Sequence, residues 1–145
     1  MPIYRRRRTQ LKYNKIARAE GCAFCELDSR DLNPQPRRIV HQTKHMYVTA
    51  SDHPYEFWEQ LDVDEHLLLI PVRHVTSMSE LTAAERKDFI DIMCDYESRG
   101  YSVYSRAPTN IIRTVAHIHT HFIKTSGQEP RVTLVSQRPY FIARW

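Results

Sequence analysis

The stretch from Ile111 to Ile123, IIRTVAHIHTHFI, alternates with a period of two, and this constrains the fold more than any other part of the chain. A β-strand sends successive side chains to opposite faces. Read as one strand, the stretch puts Ile112, Thr114, Ala116, Ile118, Thr120 and Phe122 on a mostly apolar face suited to a core. The opposite face carries Arg113, Val115, His117, His119 and His121. Same-face residues of a strand lie roughly 6.5–7 Å apart, so three imidazoles can converge on one ligand. The expectation is a sheet with a histidine-lined site on one face.

Two chemistries suit such a row. Three histidines can hold a zinc ion that activates a water. Alternatively, one histidine nitrogen attacks phosphorus while its neighbours orient the group and manage its charge. Cys22-Ala23-Phe24-Cys25 bears on the choice. Two thiolates at this spacing can grip a tetrahedral zinc once two further ligands complete the set, although CxxC also serves redox chemistry. If the cysteines take a histidine from the row, the row is not a three-histidine site.

The remaining segments read as an α+β chain. Thr82-Ala83-Ala84-Glu85 is a capping box, and Phe89, Ile92, Met93 and Tyr96 follow at helical spacing up to Gly100. Cys94, inside this helix, is expected to pack. Arg38 to Ala50 reads as two short strands or one hairpin around Gln42-Thr43-Lys44, Leu67 to Ile70 as a buried strand closed by Pro71, and Tyr101 to Tyr104 as a further strand. Asp52 to Asp64 is expected to be a loop with a short helical turn anchored by Tyr55, Phe57 and Trp58. The expected architecture is an antiparallel sheet of about five strands with one long helix and a shorter helical segment.

Composition narrows the class. At 145 residues the chain suits one domain, and 41% hydrophobic residues are too many for a disordered protein. No apolar run approaches the ~20 residues of a membrane-spanning helix, and the first residues carry four arginines rather than an apolar signal. A soluble cytoplasmic chain without membrane contact is expected. Three cysteines do not make a disulfide framework. Residues 1–20 hold seven Lys or Arg against one Glu, while the rest hold 14 basic and 16 acidic side chains. The basicity is an arm, either a solvated tail or, less favoured, a holder of nucleic acid.

Four ordered segments together resemble the histidine triad (HIT) family of nucleotide hydrolases and transferases, in its CxxC zinc-bearing bacterial form. They are Cys22-Ala23-Phe24-Cys25, then His66-Leu67-Leu68-Leu69-Ile70-Pro71-Val72-Arg73-His74, then the helix segment Ser79 to Gly100, then His117-Ile118-His119-Thr120-His121-Phe122-Ile123. The resemblance implies that His119 is a nucleophile at the α-phosphorus of a nucleotide, giving a nucleotidyl-histidine intermediate. It also implies that His121 and His66 flank the phosphate. Cys22, Cys25, His74 and His117 then hold a structural zinc, and the protein is a homodimer. The implied substrate is a dinucleoside polyphosphate or a nucleoside phosphoramidate.

The chain departs from the family pattern before the triad. Asn110-Ile111-Ile112-Arg113-Thr114-Val115 stands where members carry glycines and a Gly-Gln-Ser/Thr-Val run. Thr114 keeps a hydroxyl for a phosphate oxygen, Arg113 adds a cation on the histidine face, and Asp52 is a candidate for the ribose hydroxyls. The expected organisation is a basic arm at 1–19, a HIT-like domain at 20–126, and a C-terminal extension at 127–145 adding strands or dimer contacts. The rival readings are a nucleotide-binding protein with weak or no turnover and a three-histidine zinc hydrolase.

Overall fold

Residues 21–25, 39–127, 133–137 and 140–144 are described by the computed structural model, the last two segments as backbone. The expected basic arm lies outside the described residues. Among the described residues the strands are β1 (Ile39–Gln42), β2 (Met46–Ala50), β3 (Phe57–Trp58), β4 (Leu61–Pro71), β5 (Ser102–Ser105), β6 (Thr120–Thr125), β7 (Thr133–Gln137) and β8 (Tyr140–Arg144), and the α-helix is α1 (Ala83–Ser98). A short 3-10 turn at Met78–Glu80 leads into α1.

The apolar run Leu67 to Ile70 lies within the central strand. β4 pairs antiparallel with β2 on one side and β6 on the other, giving the order β1-β2-β4-β6-β5, with β3 folded back on the start of β4. A strand covered on both faces needs apolar residues at every position, which is why this run does not alternate. Leu67 and Leu69 face α1 together with Met46, Val48 and Phe122, and Phe89, Ile92 and Tyr96 of the helix pack on them. Leu68 and Ile70 face the other way, where Tyr47 and Phe24 cover them. The CxxC segment is therefore part of the second core layer. In the C-terminal extension, β7 and β8 form an antiparallel pair, so the added strands are present.

Three local expectations change. The Asp52 to Asp64 segment is a hairpin, not a helical turn: Phe57 pairs with Asp62 and Trp58 with Leu61. Its two-residue loop, Glu59 and Gln60, has φ of 48° and 71°, the left-handed pair that a tight hairpin turn demands. Neither residue is glycine or asparagine, so the usual turn signal is missing. The single strand expected over Ile111 to Ile123 starts only at Thr120. Upstream of Thr120, β5 has ended at Ser105 and the ladder between β4 and β6 stops at Leu69–Thr120, although β4 itself continues to Pro71. Cys94 is exposed on α1 rather than packed.

The capping box forms in full. Thr82 accepts from the Glu85 N–H and Glu85 accepts from the Thr82 N–H. Glu85 also takes a bidentate pair from Arg73, at 2.9 and 2.8 Å. This ties the segment after β4 to the start of α1. The Arg73 pair and the backbone and side-chain bonds of Thr82 hold the Glu85 carboxyl down, against burial, from an ordinary 4.5 to about 2. The charged carboxylate is favoured in the folded state, so the stabilisation is complete above about pH 4.5 and fades as pH falls towards 2. Glu85→Gln should cost about 1.5–3 kcal/mol at neutral pH, the range for hydrogen bonds to charged groups. Urea titrations of both proteins should show this gap closing below pH 4.

Candidate active site and metal centre

The β4–β6 register builds the first half of the site. Leu68 is opposite His121 and His66 opposite Ile123, so His66 and His121 share a face as diagonal neighbours. His66 Nε2 and His121 Nδ1 are 2.8 Å apart. The Tyr55 backbone N–H donates to His66 Nδ1 at 2.9 Å, which places the His66 proton on Nε2, where it donates to His121 Nδ1. Both imidazoles are buried. Tyr55 itself is buried, its ring 4.4 Å from that of His66 and 5.2 Å from that of His121. Trp58 stacks parallel on Tyr55 and contacts Tyr104 across the β3 turn. The missed hairpin therefore supplies an aromatic wall for the two histidines.

His119 lies just before β6, half-buried, its ring 5.1 Å from that of His121. Its Nδ1–H donates to the His117 carbonyl at 3.0 Å, which leaves the Nε2 lone pair outward. Burial pushes its pKa down, and the charges of Arg113 and Arg106 act in the same sense, against the His117 hydrogen bond. The imidazole is held neutral. Phe24 packs edge-on against His119 at 5.1 Å, so the segment between the two cysteines buttresses this ring.

His117 turns away to a second centre. Its Nε2–H donates to the Pro71 carbonyl at 3.1 Å, leaving Nδ1 as a lone pair 3.5 Å from both Cys22 Sγ and Cys25 Sγ. His74 Nδ1 is 3.1 Å from Cys25 Sγ. The four ligand atoms lie within 4.8 Å of one another. A tetrahedral zinc with Zn–S near 2.3 Å and Zn–N near 2.0–2.1 Å holds sulfur and nitrogen about 3.5 Å apart. The donor set fits that ion. Burial, then the charge of His74, lowers the His117 pKa to about 4, which keeps the imidazole neutral as a ligand must be. Among the described residues this is the one cluster with metal-ligand spacing, and His119 and His121 are outside it.

The three histidines are thus split between two centres. The expected substrate contacts fare differently. Arg113 is directed at backbone: Nε donates to the Val115 carbonyl at 3.1 Å, and Nη2 to the carbonyls of Thr76, at 2.8 Å, and Ala116. It replaces missing ladder partners for the segment before β6, so it braces the loop instead of presenting its guanidinium to phosphate. Thr114 is exposed on that segment, and Asp52 is exposed beside Ser51, whose N–H donates to the His66 carbonyl at 3.0 Å. A cleft of about 370 Å³ next to His66 is lined by Pro54, Tyr55, Glu56, Asp62, Val63 and Asp64. Its carboxylates suit hydroxyl groups better than phosphate. The sequence reading missed Arg106, directly after β5, whose Nη1 is 3.3 Å from His121 Nε2.

A sheet of this order with one packed helix, a paired His66–His121 and a Cys2His2 cluster define a chain with the HIT fold. Solved structures agree. A HIT family hydrolase from Clostridium thermocellum superposes with a TM-score of 0.56 at 21% identity, covering 77% of this chain and 96% of its own. A HIT family hydrolase from Legionella pneumophila gives 0.52 at 18% identity, covering 75% and 95%. A histidine triad nucleotide-binding protein from Candida albicans gives 0.54 at 18%, covering 73% and 76%. No protein-family model matches the sequence. No helix among the described residues is long and apolar enough to cross a membrane.

Proposed function

We propose that the protein is a nucleotide hydrolase or transferase that cleaves at the α-phosphate through a nucleotidyl-His119 intermediate. One observation carries this reading: His119 spends its Nδ1–H on the His117 carbonyl, which leaves Nε2 as the lone pair of a ring whose burial favours the neutral form, beside the His66–His121 pair. A fixed, desolvated lone pair is what attack on phosphorus needs. Nε2 bonds to the α-phosphorus as the bond to the leaving group breaks. Water then adds its oxygen to phosphorus, releases a proton to solvent and frees His119.

His121 presents Nε2–H to the developing negative charge, because His66 holds its Nδ1 as an acceptor. His66 is a positioning residue in this scheme. Cys22, Cys25, His74 and His117 would hold zinc, and with four protein ligands its contribution is a cross-link rather than an activated water.

The test is turnover of dinucleoside polyphosphates and nucleoside phosphoramidates, with intact-mass detection of a nucleotidyl adduct after a quench without acid. A family of substrates cleaved at the α-phosphate, with an adduct on His119, is the expected result. Binding without cleavage across the panel would leave a nucleotide-binding protein. His66→Ala should lower kcat by up to about 10⁴-fold, the effect of losing the group that fixes a catalytic histidine's tautomer, with a smaller change in KM. Steady-state kinetics on the preferred substrate checks this.

A further inference from the structure

The CxxC pair has a second chemistry, one that holding a metal does not exhaust. Cys25 is exposed and Cys22 half-buried, while their neighbour His117 is only 1% exposed. The Cys25 N–H donates to the Cys22 carbonyl at 3.0 Å, closing a tight turn, and the ligand atoms of the cluster all lie within 4.8 Å of one another. A disulfide needs its sulfurs at ~2.05 Å and its Cβ atoms roughly 3.5–4.5 Å apart, which side-chain rotation within such a turn can supply. Both parts of a dithiol reaction are therefore in place: an open sulfur for an oxidant to meet, and a sheltered one beside it. Cys94, also exposed, is on α1 and outside the cluster.

A coordinated cysteine is held as its thiolate, the form that attacks a peroxide. We propose that Cys25 and Cys22 are an oxidation site, at which a hydroperoxide turns the zinc-binding pair into a disulfide and the metal cross-link is given up. The Cys25 thiolate attacks one peroxide oxygen, the O–O bond breaks, hydroxide leaves and Cys25 becomes a sulfenic acid. The Cys22 thiolate then attacks the Cys25 sulfur, the S–O bond breaks and a second hydroxide leaves. The two sulfurs have lost two electrons and the peroxide has gained them. Neither sulfur of a disulfide is a thiolate, so His74 and His117 alone remain of the four ligands. Two histidines do not make the closed tetrahedral set of a structural zinc.

The change reaches the nucleophile through one residue. Phe24 stands between the two cysteines, buried, its ring 5.9 Å from that of His117 and 5.1 Å from that of His119. Its carbonyl accepts from the Tyr47 hydroxyl at 3.1 Å, a tie to β2 that does not involve the metal ligands. Oxidation therefore loosens the buttress of His119 without undoing the sheet. The proposal rests on the metal reading and is independent of the nucleotidyl-transfer reading.

The test uses the full chain carrying Cys94→Ser, loaded with zinc, checked by elemental analysis and titrated with hydrogen peroxide. A chromogenic chelator reports free zinc, and intact mass after alkylation without reduction reports the disulfide. The expected result is one zinc released for each disulfide formed, with rebinding once a thiol reductant is added. The oxidised protein should melt close to the temperature of Cys22→Ser. Cys22→Ser, which lacks the second thiol, should stop at a Cys25 sulfenic acid that dimedone traps. Cys25→Ser should be trapped at Cys22 about tenfold more slowly, because oxidation follows exposure. Zinc retained after the disulfide forms, zinc released without a disulfide, or equal trapping in the two variants would overturn the proposal. If Cys94→Ser does not fold, wild type serves, since peptide mapping separates Cys94 from the pair. A chain that forms the disulfide but never binds zinc would sink the metal reading and this proposal together, and leave the enzyme reading standing. Zinc exchange for a disulfide in a chain with no turnover would do the reverse.

Discussion

His119→Ala should abolish turnover while nucleotide affinity stays within about tenfold, or ~1.4 kcal/mol. The asymmetry follows from what the ring does. In the proposed mechanism its Nε2 makes a bond only as the leaving group departs, so removing it acts on the transition state. Ground-state affinity comes from the base, the ribose and the other phosphate contacts. Here those contacts have a candidate independent of His119, the cleft beside His66. Mass spectrometry should detect a nucleotidyl adduct in wild type and none in the variant. Near-normal turnover by His119→Ala would remove the nucleophile assignment. A loss of binding as large as the loss of rate would place the ring in substrate binding instead.

The second large effect is on stability. Zinc at Cys22, Cys25, His74 and His117 would join three segments that are distant in sequence and would seal Phe24 over Tyr47, Leu68 and Ile70. Metal that binds only the folded chain adds its binding free energy to stability, about 4 kcal/mol when free zinc is a thousandfold above Kd. At roughly 3–5 °C per kcal/mol for a domain of this size, Cys22→Ser should lower Tm by about 10–20 °C and lose the metal. Activity well below the new Tm should fall but survive in part. No water on zinc is invoked, and the loss reaches the chemistry only through Phe24 and the His117 carbonyl, both against His119. Elemental analysis and thermal melts read these outcomes directly. A fully stable wild type without metal would refute the site. Zinc retained after loss of both cysteines would point to the three-histidine hydrolase.

Much of the frame is written in local pattern. Thr82 and Glu85 are three residues apart, so their capping box depends on nothing beyond the helix start, and the Phe89, Ile92, Tyr96 stripe follows from the 3.6-residue turn. Cys22 and Cys25 were legible as a possible metal pair from their spacing, His74 and His117 only through the family resemblance, and the four ligand atoms do meet. The His66–His121 pairing was legible only as a resemblance, since its geometry depends on the register of two strands 55 residues apart.

Tertiary structure decided the rest. The period-two pattern upstream of Thr120 matched a strand, but a strand requires a neighbour, and β5 has already ended there. Arg113, placed on the histidine face by that alternation, is turned to the carbonyls of the unpaired loop because unsatisfied backbone is costly. Glu59-Gln60 gave no turn signal, because their left-handed φ values are imposed by the pairing of β3 with β4. Arg106 had no motif. Its place beside His121 arises from Tyr104 lying opposite His121 across β5 and β6, a long-range register that no local window contains. Local sequence determined the elements whose energetics are local and the residues with rare chemistry. The direction in which Arg113 points was settled by which backbone groups the completed sheet left without ladder partners.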